Sequence, residues 1–334
     1  MPENQRLRIA VVGTGISGLS AAWLLGRRHD VTIYEQSDRA GGHSNTVRVQ
    51  AQGRSVPVDT GFIVFNRATY PNLCALFAHL EVQTQISDMS FAASLDGGDF
   101  EYAGGVGLGG LFAQKRNLVR PRFLSMLSDI RKFYRDAVRD AAMPGFESLT
   151  LGAYVEQRGY GEAFRNDHLL PMASAIWSAA PDTMLAFPAL AFIRFHANHG
   201  LLQLAGRPVW ETVTGGSIAY VRKLLEDFQG RVKLDTAVLR VDRSEDGVRI
   251  ADSQGGSENF DHVVLASHAD QALSVLADPT QSETELLGAF RYQRNLAVLH
   301  SDTGFMPKRR AAWASWNYIG GDENGQDNAY FTYW

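Results

Sequence analysis

The stretch Ile9-Ala-Val-Val-Gly-Thr-Gly-Ile-Ser-Gly18 decides the fold of this chain. Its four leading apolar residues are typical of a parallel strand that is buried on both faces, and residues 18–28 are compatible with a helix. Residues 31–35, Val-Thr-Ile-Tyr-Glu, predict a second buried strand. Together these segments predict a β-α-β unit with a glycine-rich first turn.

The glycine-rich turn matches the G-x-G-x-x-G pattern of dinucleotide-binding proteins. In that pattern Gly13 makes the tight turn, Gly15 lets the backbone approach a pyrophosphate, and Gly18 lets the helix pack closely on the sheet. The amides that open the helix, including those of Ile16 and Ser17, then face the anion. We therefore expect these five residues to bind the phosphates of a dinucleotide.

Glu35 ends the second predicted strand. A carboxylate at this position is placed to accept hydrogen bonds from the ribose of an adenosine, and it repels a 2′-phosphate. NADP is therefore disfavoured. The alternative interpretation is a glycine turn followed by a surface glutamate, with no nucleotide bound.

Residues 35–44 read Glu-Gln-Ser-Asp-Arg-Ala-Gly-Gly-His-Ser. This segment resembles the second signature of the flavin amine oxidase superfamily, in which an acid, an arginine and a Gly-Gly pair follow the first β-α-β unit. The superfamily includes monoamine and polyamine oxidases, protoporphyrinogen oxidase and phytoene desaturases, all of which are FAD enzymes. The resemblance therefore implies FAD as the cofactor, with NAD as the second candidate.

The resemblance also implies further contacts with FAD. Within the second signature these come from Gln36, Arg39, Gly41, Gly42 and His43. The family usually has an arginine at the last of these positions. A histidine there carries its charge only conditionally, so a packing role is the alternative.

Three later segments resemble other family features. Residues 58–62, Val-Asp-Thr-Gly-Phe, resemble the Asp-x-Gly turn beside the flavin, which implies contacts from Thr60 and Gly61. The strand pair at 232–241 resembles the one whose Val238 position contacts the adenine side. Residues 262–266 resemble a strand that ends near the dinucleotide at Ala266.

The order of segments predicts an α/β fold with two domains. A Rossmann-like FAD-binding domain is expected at 1–67 and 210–289, and an inserted, mainly helical substrate domain at 68–209 and 290–334. The first domain is interrupted because helix-length amphipathic segments at 70–80, 122–142 and 151–157 separate its strands. The apolar residues 169–177 and 184–195 either line a substrate pocket or form the core of the insertion.

The resemblance leaves the catalytic residues unassigned. Many amine oxidases of the superfamily place a lysine near the flavin, on the strand equivalent to 296–300, and residues 293–300 contain no lysine. The family also completes its flavin site with a Gly-Asp turn and a helix that we do not find before Trp334, so we expect a fragment. The predicted function is removal of hydride from an apolar or amine substrate. The alternatives are a non-catalytic dinucleotide-binding or scaffold protein, and an NAD-dependent dehydrogenase.

The composition argues against several other classes of protein. The chain has 334 residues and a formal net charge of −4, which lacks the strong basic field that binding to nucleic acid requires. Its single cysteine, Cys74, cannot form an internal disulfide. His196 and His199 are three residues apart, but no third ligand accompanies them, so no metal site is predicted.

Neither a signal peptide nor an apolar run of about 18 residues is present, so we expect a cytoplasmic protein without a membrane span. Residues 122–142 predict a basic amphipathic helix with Phe123, Ile130 and Ala137 on its apolar face. Its basic face is either solvated or in peripheral contact with an anionic membrane. The sequence leaves the oligomeric state open.

Overall fold

The structure, a computed structural model, describes residues 6–51, 53–105, 107–203, 206–320 and 329–334. The strands of this part of the chain are β1 (Arg8–Val12), β2 (Asp30–Tyr34), β3 (Thr46–Ala51), β4 (Arg54–Asp59), β5 (Phe65–Asn66), β6 (Thr84–Ile86), β7 (Phe91–Leu95), β8 (Phe100–Gly104), β9 (Trp210–Val213), β10 (Arg231–Lys233), β11 (Val238–Ser244), β12 (Gly247–Asp252), β13 (Ser257–Phe260), β14 (His262–Leu265), β15 (Trp316–Gly320) and β16 (Tyr330–Tyr333). The α-helices are α1 (Ile16–Gly26), α2 (Pro71–His79), α3 (Gly107–Leu111), α4 (Pro121–Asp140), α5 (Leu151–Gln157), α6 (Glu162–Phe164), α7 (Leu170–Trp177), α8 (Pro181–Leu185), α9 (Ala189–Asn198), α10 (Ile218–Asp227), α11 (Ala269–Val275) and α12 (Gln281–Gly288).

The chain folds into two compact units. Unit 1 comprises Met1–Phe65, Pro71–Gln85 and Thr212–Leu299. Unit 2 comprises Asn66–Tyr70, Ile86–Glu211 and His300–Trp334.

The units differ from the predicted domains mainly at residues 71–85 and 290–299, which belong to unit 1, and also at residues 66–67 and 210–211, which belong to unit 2. In the first segment, Phe77 of α2 packs on the rings of Phe65, 5.3 Å away, and Tyr220, 5.1 Å away. In the second, the ring of Tyr292 stacks on His268 at 4.3 Å. The division of function between the two domains stays a prediction.

Unit 1 is built on a parallel sheet in the order β10-β2-β1-β14. β1 pairs with β2 on one side and with β14 on the other, and its register joins Ile9 to both Val31 and His262. The central residues of β1 and β2 are buried, as their unbroken apolar runs predict. The Rossmann-like α/β fold predicted from these two strands is confirmed.

An antiparallel sheet in the order β11-β12-β13 adds a second apolar layer to unit 1. Val241 and Ile250 of this sheet join Ala10 and Tyr34 of the parallel sheet in one hydrophobic cluster. The ring of Tyr34 meets that of Phe260 edge-on at 6.1 Å. Val238 and Val241 of β11 belong to this cluster, whereas β10 lies in the parallel sheet, so the two strands predicted at residues 232–241 form but belong to different sheets.

Unit 2 contains the helices predicted at 122–142 and 151–157, whereas the one predicted at 70–80 lies in unit 1, and it also contains a sheet that the sequence did not reveal. The sheet has the order β16-β15-β7-β8, and β15 runs parallel to β7 although more than two hundred residues separate them. β7 reads Phe-Ala-Ala-Ser-Leu and contains no β-branched residue, so its composition favours no strand. The prediction of a mainly helical insertion was therefore incomplete.

The structure also corrects the strand implied for residues 296–300. Residues 290–302 form neither a strand nor a helix, and Leu296 is 92% exposed. A strand needs a partner for its backbone groups, and this segment has no paired strand among the described residues.

Helix α4 places the predicted apolar face in the core of unit 2. Phe123, Ile130 and Ala137 are buried there, as the spacing predicts. Phe133, on the same helix, is fully buried and packs on the rings of Phe164, 5.4 Å away, and Tyr160, 5.8 Å away. This aromatic cluster joins α4 to the helices that follow it.

We predict that Phe133→Ala lowers the free energy of unfolding by about 3–5 kcal/mol, because it leaves a cavity among these rings. The matched control is Leu124→Ala on the same helix, where a side chain that is 45% exposed is shortened. Its effect is expected to be within about 0.5 kcal/mol. Urea unfolding of both variants measures the difference, and equal losses would contradict the assignment of the core.

Candidate functional site

The glycine turn of unit 1 joins β1 to α1 by close backbone contacts. A Cβ atom at Gly13, where φ is 104°, would lie 2.7 Å from the carbonyl oxygen of Ala266. A Cβ atom at Gly18 would lie 2.0 Å from the carbonyl oxygen of Gly13. Side chains at both positions are therefore excluded by the packing of the unit itself.

Gly15 has a different environment, because it precedes α1 and faces open space. A Cβ atom there would have no heavy atom within 4 Å, and no described side chain caps the helix. The N–H groups that open an α-helix, here those of Ile16, Ser17 and Gly18, have no acceptor within the helix. The uncapped start of α1 therefore offers N–H donors and the positive end of the helix dipole to an anion.

The carboxylate of Glu35 is buried and connects three parts of this region. Its Oε2 accepts hydrogen bonds from the Thr14 N–H at 3.0 Å and from the Thr14 hydroxyl, and its Oε1 accepts one from the Ser37 N–H at 3.0 Å. The Thr14 hydroxyl oxygen accepts a hydrogen bond from the Gly41 N–H at 3.1 Å. Because a carboxylate oxygen accepts about two hydrogen bonds, Oε1 retains capacity for one more donor, such as a ribose hydroxyl.

The Gly-Gly loop lies against the first turn. A Cβ atom at Gly42, where φ is 55°, would lie 3.0 Å from the Cα atom of Gly15. Gly41 has φ of 120°, and a Cβ atom there would lie 2.8 Å from the carbonyl oxygen of Ser44. The exposed Arg39 donates a hydrogen bond to the carbonyl oxygen of Gly42 at 3.1 Å. Gln36 is exposed next to Glu35.

The turn at residues 58–62 contacts the same loop. A Cβ atom at Gly61 would lie 2.1 Å from the carbonyl oxygen of His43, and the Thr60 N–H donates to the carbonyl oxygen of Asn45 at 2.9 Å. The Asp59 carboxylate accepts hydrogen bonds from the Ser217 N–H at 2.9 Å and from the Ser217 hydroxyl at 2.8 Å. Asp59 therefore fixes this turn by binding the start of α10.

His43 takes part in an aromatic stack that the sequence patterns did not indicate. Its ring lies 5.6 Å from that of His268, with 18° between the planes, and His268 stacks in turn on Tyr292. The hydroxyl oxygen of Tyr292 accepts a hydrogen bond from the Ala269 N–H at 3.0 Å. These contacts give His43 a packing partner in a region where the family has arginine.

Val238 lies apart from the predicted residues that meet at the glycine turn. Its side chain is buried in the hydrophobic cluster that contains Ala10 and Tyr34. The carbonyl oxygen of Ala266, in contrast, lies directly against Gly13. The contact of Val238 with adenine therefore stays a prediction.

The residues around the turn fit the adenosine and pyrophosphate half of FAD. Gly15 leaves room for a phosphate at the start of α1, where a side chain would occupy that room. Glu35 has remaining acceptor capacity at the end of β2, where a ribose is expected. The fit depends on Gly15 and Glu35 together, because a helix start without a side-chain cap is common and does not by itself indicate a ligand.

Unit 2 contains a separate cavity of about 90 Å³. Its apolar wall consists of Met89, Phe91, Met172, Ile176, Leu201 and Trp316. Met172 and Ile176 come from the apolar segment 169–177 that was a candidate for a pocket. The other candidate segment, 184–195, contributes Met184, Phe192 and Ile193 to the core instead.

The polar groups of this cavity include a buried Tyr102–His168 pair. The Tyr102 hydroxyl lies 2.9 Å from both the Asp167 carbonyl oxygen and Nδ1 of His168. The Asp167 carboxylate accepts hydrogen bonds from Arg122 at 2.6 and 2.7 Å. Burial, together with the smaller effects of the nearby His196 and Arg207, lowers the pKa of His168 to about 3. The imidazole is therefore neutral at ordinary pH.

No sequence pattern indicates a role for His168. Among the described residues no group of three or more potential ligands could hold a metal ion. His196 is buried on α9, where its Nδ1 lies 2.8 Å from the carbonyl oxygen of Phe192. No described helix is both long enough and apolar enough to cross a membrane.

Comparison with known proteins adds the following findings. Residues 16–315 match the family model described as flavin containing amine oxidoreductase. A Mycobacterium tuberculosis protein described as a flavin-containing monoamine oxidase is 26% identical over 283 residues, which cover 81% of this chain and 59% of that protein. Cyclohexylamine oxidase from Brevibacterium oxydans has a similar fold, with a TM-score of 0.65 and 19% identity over 85% of this chain and 63% of that chain. The CLA-producing fatty acid isomerase from P. acnes is similar with a TM-score of 0.60 and 18% identity, over 84% and 63% of the two chains. This chain therefore spans less than two thirds of the length of these relatives.

Gly15, which faces open space, and Gly18, which is closely packed, are expected to respond differently to substitution by alanine. Gly15→Ala is expected to leave stability unchanged and to weaken FAD binding by about tenfold or more, because the new methyl group occupies the space for a phosphate. Gly18→Ala is expected to lower the free energy of unfolding by about 1–3 kcal/mol through overpacking. Flavin fluorescence titration and urea unfolding separate the two effects. Unchanged FAD affinity in Gly15→Ala would contradict the site.

The buried histidines of unit 2 predict a dependence of stability on pH. Burial lowers the pKa of His168 to about 3 and that of His196 to about 4, from 6.5 in the unfolded chain. At a pH between these folded-state pKa values and 6.5, the unfolded chain binds more protons than the folded chain. The free energy of unfolding should therefore fall as pH is lowered from 6.5 to about 5. Urea midpoints measured across this interval should show a smaller slope in His168→Gln. An unchanged slope would contradict a neutral, buried His168.

Proposed function

Because the chain belongs to the flavin containing amine oxidoreductase family, we propose that it is an FAD-dependent oxidoreductase. Its substrate would be an apolar molecule or an amine from which hydride is removed. The observation that carries the proposal is the crevice of unit 1, where the open space at Gly15 lies beside the buried carboxylate of Glu35. Both features are explained by a bound dinucleotide.

The residues of unit 1 would hold FAD through backbone groups at its phosphates and a carboxylate at its ribose. The N–H groups that open α1 would bind the pyrophosphate, and Glu35 would accept a hydrogen bond from the adenosine ribose. Thr14 would keep the carboxylate in place, because it donates both its N–H and its hydroxyl to Oε2. The Gly41-Gly42 bend would leave the backbone close to the cofactor.

When bound, the flavin itself accepts the hydride, and the protein supplies binding, orientation and exclusion of water. Amine substrates are supported by family membership and by the likeness to a flavin-containing monoamine oxidase. No residue of this chain is assigned the role of acid or base in the crevice. The substrate-binding role of unit 2 is part of the same proposal.

The test is to identify the cofactor that the purified protein retains, from its absorption spectrum and from the mass of the released molecule. We expect a yellow protein that releases FAD and is bleached by an amine substrate in the absence of oxygen. A protein that neither retains nor takes up FAD contradicts the proposal. A bound flavin that no amine or apolar candidate reduces favours a non-catalytic binding protein.

Gly42→Leu should abolish retention of FAD, because its side chain would enter the space next to Gly15. The matched control is Gly255→Leu. Gly255 also has a positive φ, of 78°, but a Cβ atom there meets nothing within 4 Å, and the residue lies in the turn between β12 and β13. FAD retention measured by absorbance should be lost only in the first variant, and equal losses in both would assign the effect to backbone strain.

A further inference from the structure

The cavity of unit 2 is apolar except for a few side chains, and none of the described residues that line it is acidic. Its polar lining includes Tyr102, Tyr134 and His168, with the exposed Arg207 as the charged group. Among the described lining residues, a cationic ligand would therefore meet a positive charge and no counter-charge. The cavity favours an apolar ligand without positive charge.

The hydrogen bonds of Tyr102 determine the tautomer of His168. The Asp167 carbonyl oxygen can only accept, so the Tyr102 hydroxyl donates to it at 2.9 Å. Nδ1 of His168, 2.9 Å from the same hydroxyl oxygen, must then be the donor to Tyr102. A neutral imidazole with its proton on Nδ1 presents a lone pair at Nε2.

Nε2 of His168 has no hydrogen-bond partner among the described residues, although the side chain is buried, with only 7% of the residue exposed. A buried polar atom without a partner costs about 1–3 kcal/mol, and such atoms mark sites for a ligand or water. His168 also lies on a π-helical turn, Arg165–Leu169, between α6 and α7. Such turns are rare and are frequent at functional sites.

The surroundings of His168 hold its ring in one orientation. Its ring packs against those of Phe91, Phe164 and Tyr102 at 6.1–6.4 Å. Arg122 holds the neighbouring Asp167 through two hydrogen bonds. The acceptor at Nε2 is therefore preorganised rather than mobile.

We propose that this cavity binds a short apolar group that carries one neutral N–H or O–H, which donates a hydrogen bond to Nε2 of His168. The proposal deepens the proposed function, because it names the part of the substrate that unit 2 recognises. A cavity of about 90 Å³ is smaller than the roughly 150 Å³ cavity that admits benzene, so the bound group is a chain of a few carbons. His168 is a positioning residue here, since no contact with reacting atoms is involved.

The test compares 1-butanol with diethyl ether, two probes of the same atomic composition of which only the alcohol donates a hydrogen bond. Protein labelled with ¹⁵N in its histidines is titrated with each probe, with and without FAD. We expect the alcohol to bind about tenfold more tightly and to shift the Nε2 resonance of His168. Butylammonium, which is cationic at neutral pH, is expected to bind more weakly than the alcohol.

Variants of His168 distinguish a role in accepting a hydrogen bond from the ligand from a purely structural role. His168→Asn keeps a donor to Tyr102 but removes the acceptor at the Nε2 position, so it should lose the tenfold preference for the alcohol. His168→Gln places an amide oxygen near that position and should recover part of the preference. The matched control is His196→Asn, because His196 is also buried, and its Nε2 also has no partner among the described residues, but it is not among the described residues that line the cavity. It should keep the full preference.

Equal binding of the two probes with an unmoved His168 resonance would overturn the proposal. So would loss of the preference in His196→Asn as well as in His168→Asn. If a variant fails to fold, the resonance of the unmodified protein still decides the question. A protein that takes up no FAD but shows the alcohol-specific shift contradicts the proposed function alone.

Discussion

The buried carboxylate of Glu35 is the interaction on which the cofactor crevice depends. It accepts two hydrogen bonds from Thr14 and one from Ser37, and Thr14 in turn accepts one from Gly41. These hydrogen bonds hold together three segments of the chain: the glycine turn, the end of β2 and the Gly-Gly loop. Because an unpaired buried carboxylate is costly, these hydrogen bonds stabilise the turn, and the start of α1 beside it has no side-chain cap among the described residues.

Unit 2 likewise contains a buried ionisable side chain that is held in place by hydrogen bonds. Arg122 holds Asp167, whose carbonyl oxygen accepts a hydrogen bond from the Tyr102 hydroxyl, and this places the imidazole proton on Nδ1 of His168. Burial then keeps the imidazole neutral. In unit 1 a buried acid holds the glycine turn beside the uncapped start of α1, whereas in unit 2 a buried base has an acceptor atom without a partner among the described residues.

Membership in the family and the similar folds do not select a substrate. The fold of this chain resembles both a cyclohexylamine oxidase and a fatty acid isomerase, and one fold commonly hosts different reactions. The absence of lysine from residues 293–300 and the exposure of Leu296 set this chain apart from the pattern expected of amine oxidases. Under the proposals made here, selectivity would depend on the side chains of unit 2, where Arg207 would disfavour a cation and His168 would favour a neutral donor.

The sequence by itself determined the first β-α-β unit, the glycine turn and the apolar face of α4, because these depend on contacts between residues close in the chain. The periodicity and spacing of residues in the sequence directly indicate such local contacts. The tertiary structure decided the pairing of β7 with β15, the role of Thr14 and the environment of His168. Each of these depends on partners that are distant in the sequence. A single histidine gives no indication in the sequence of whether it is solvated or buried. Its tautomer and charge are set only when Tyr102, Asp167 and the apolar wall are brought around it.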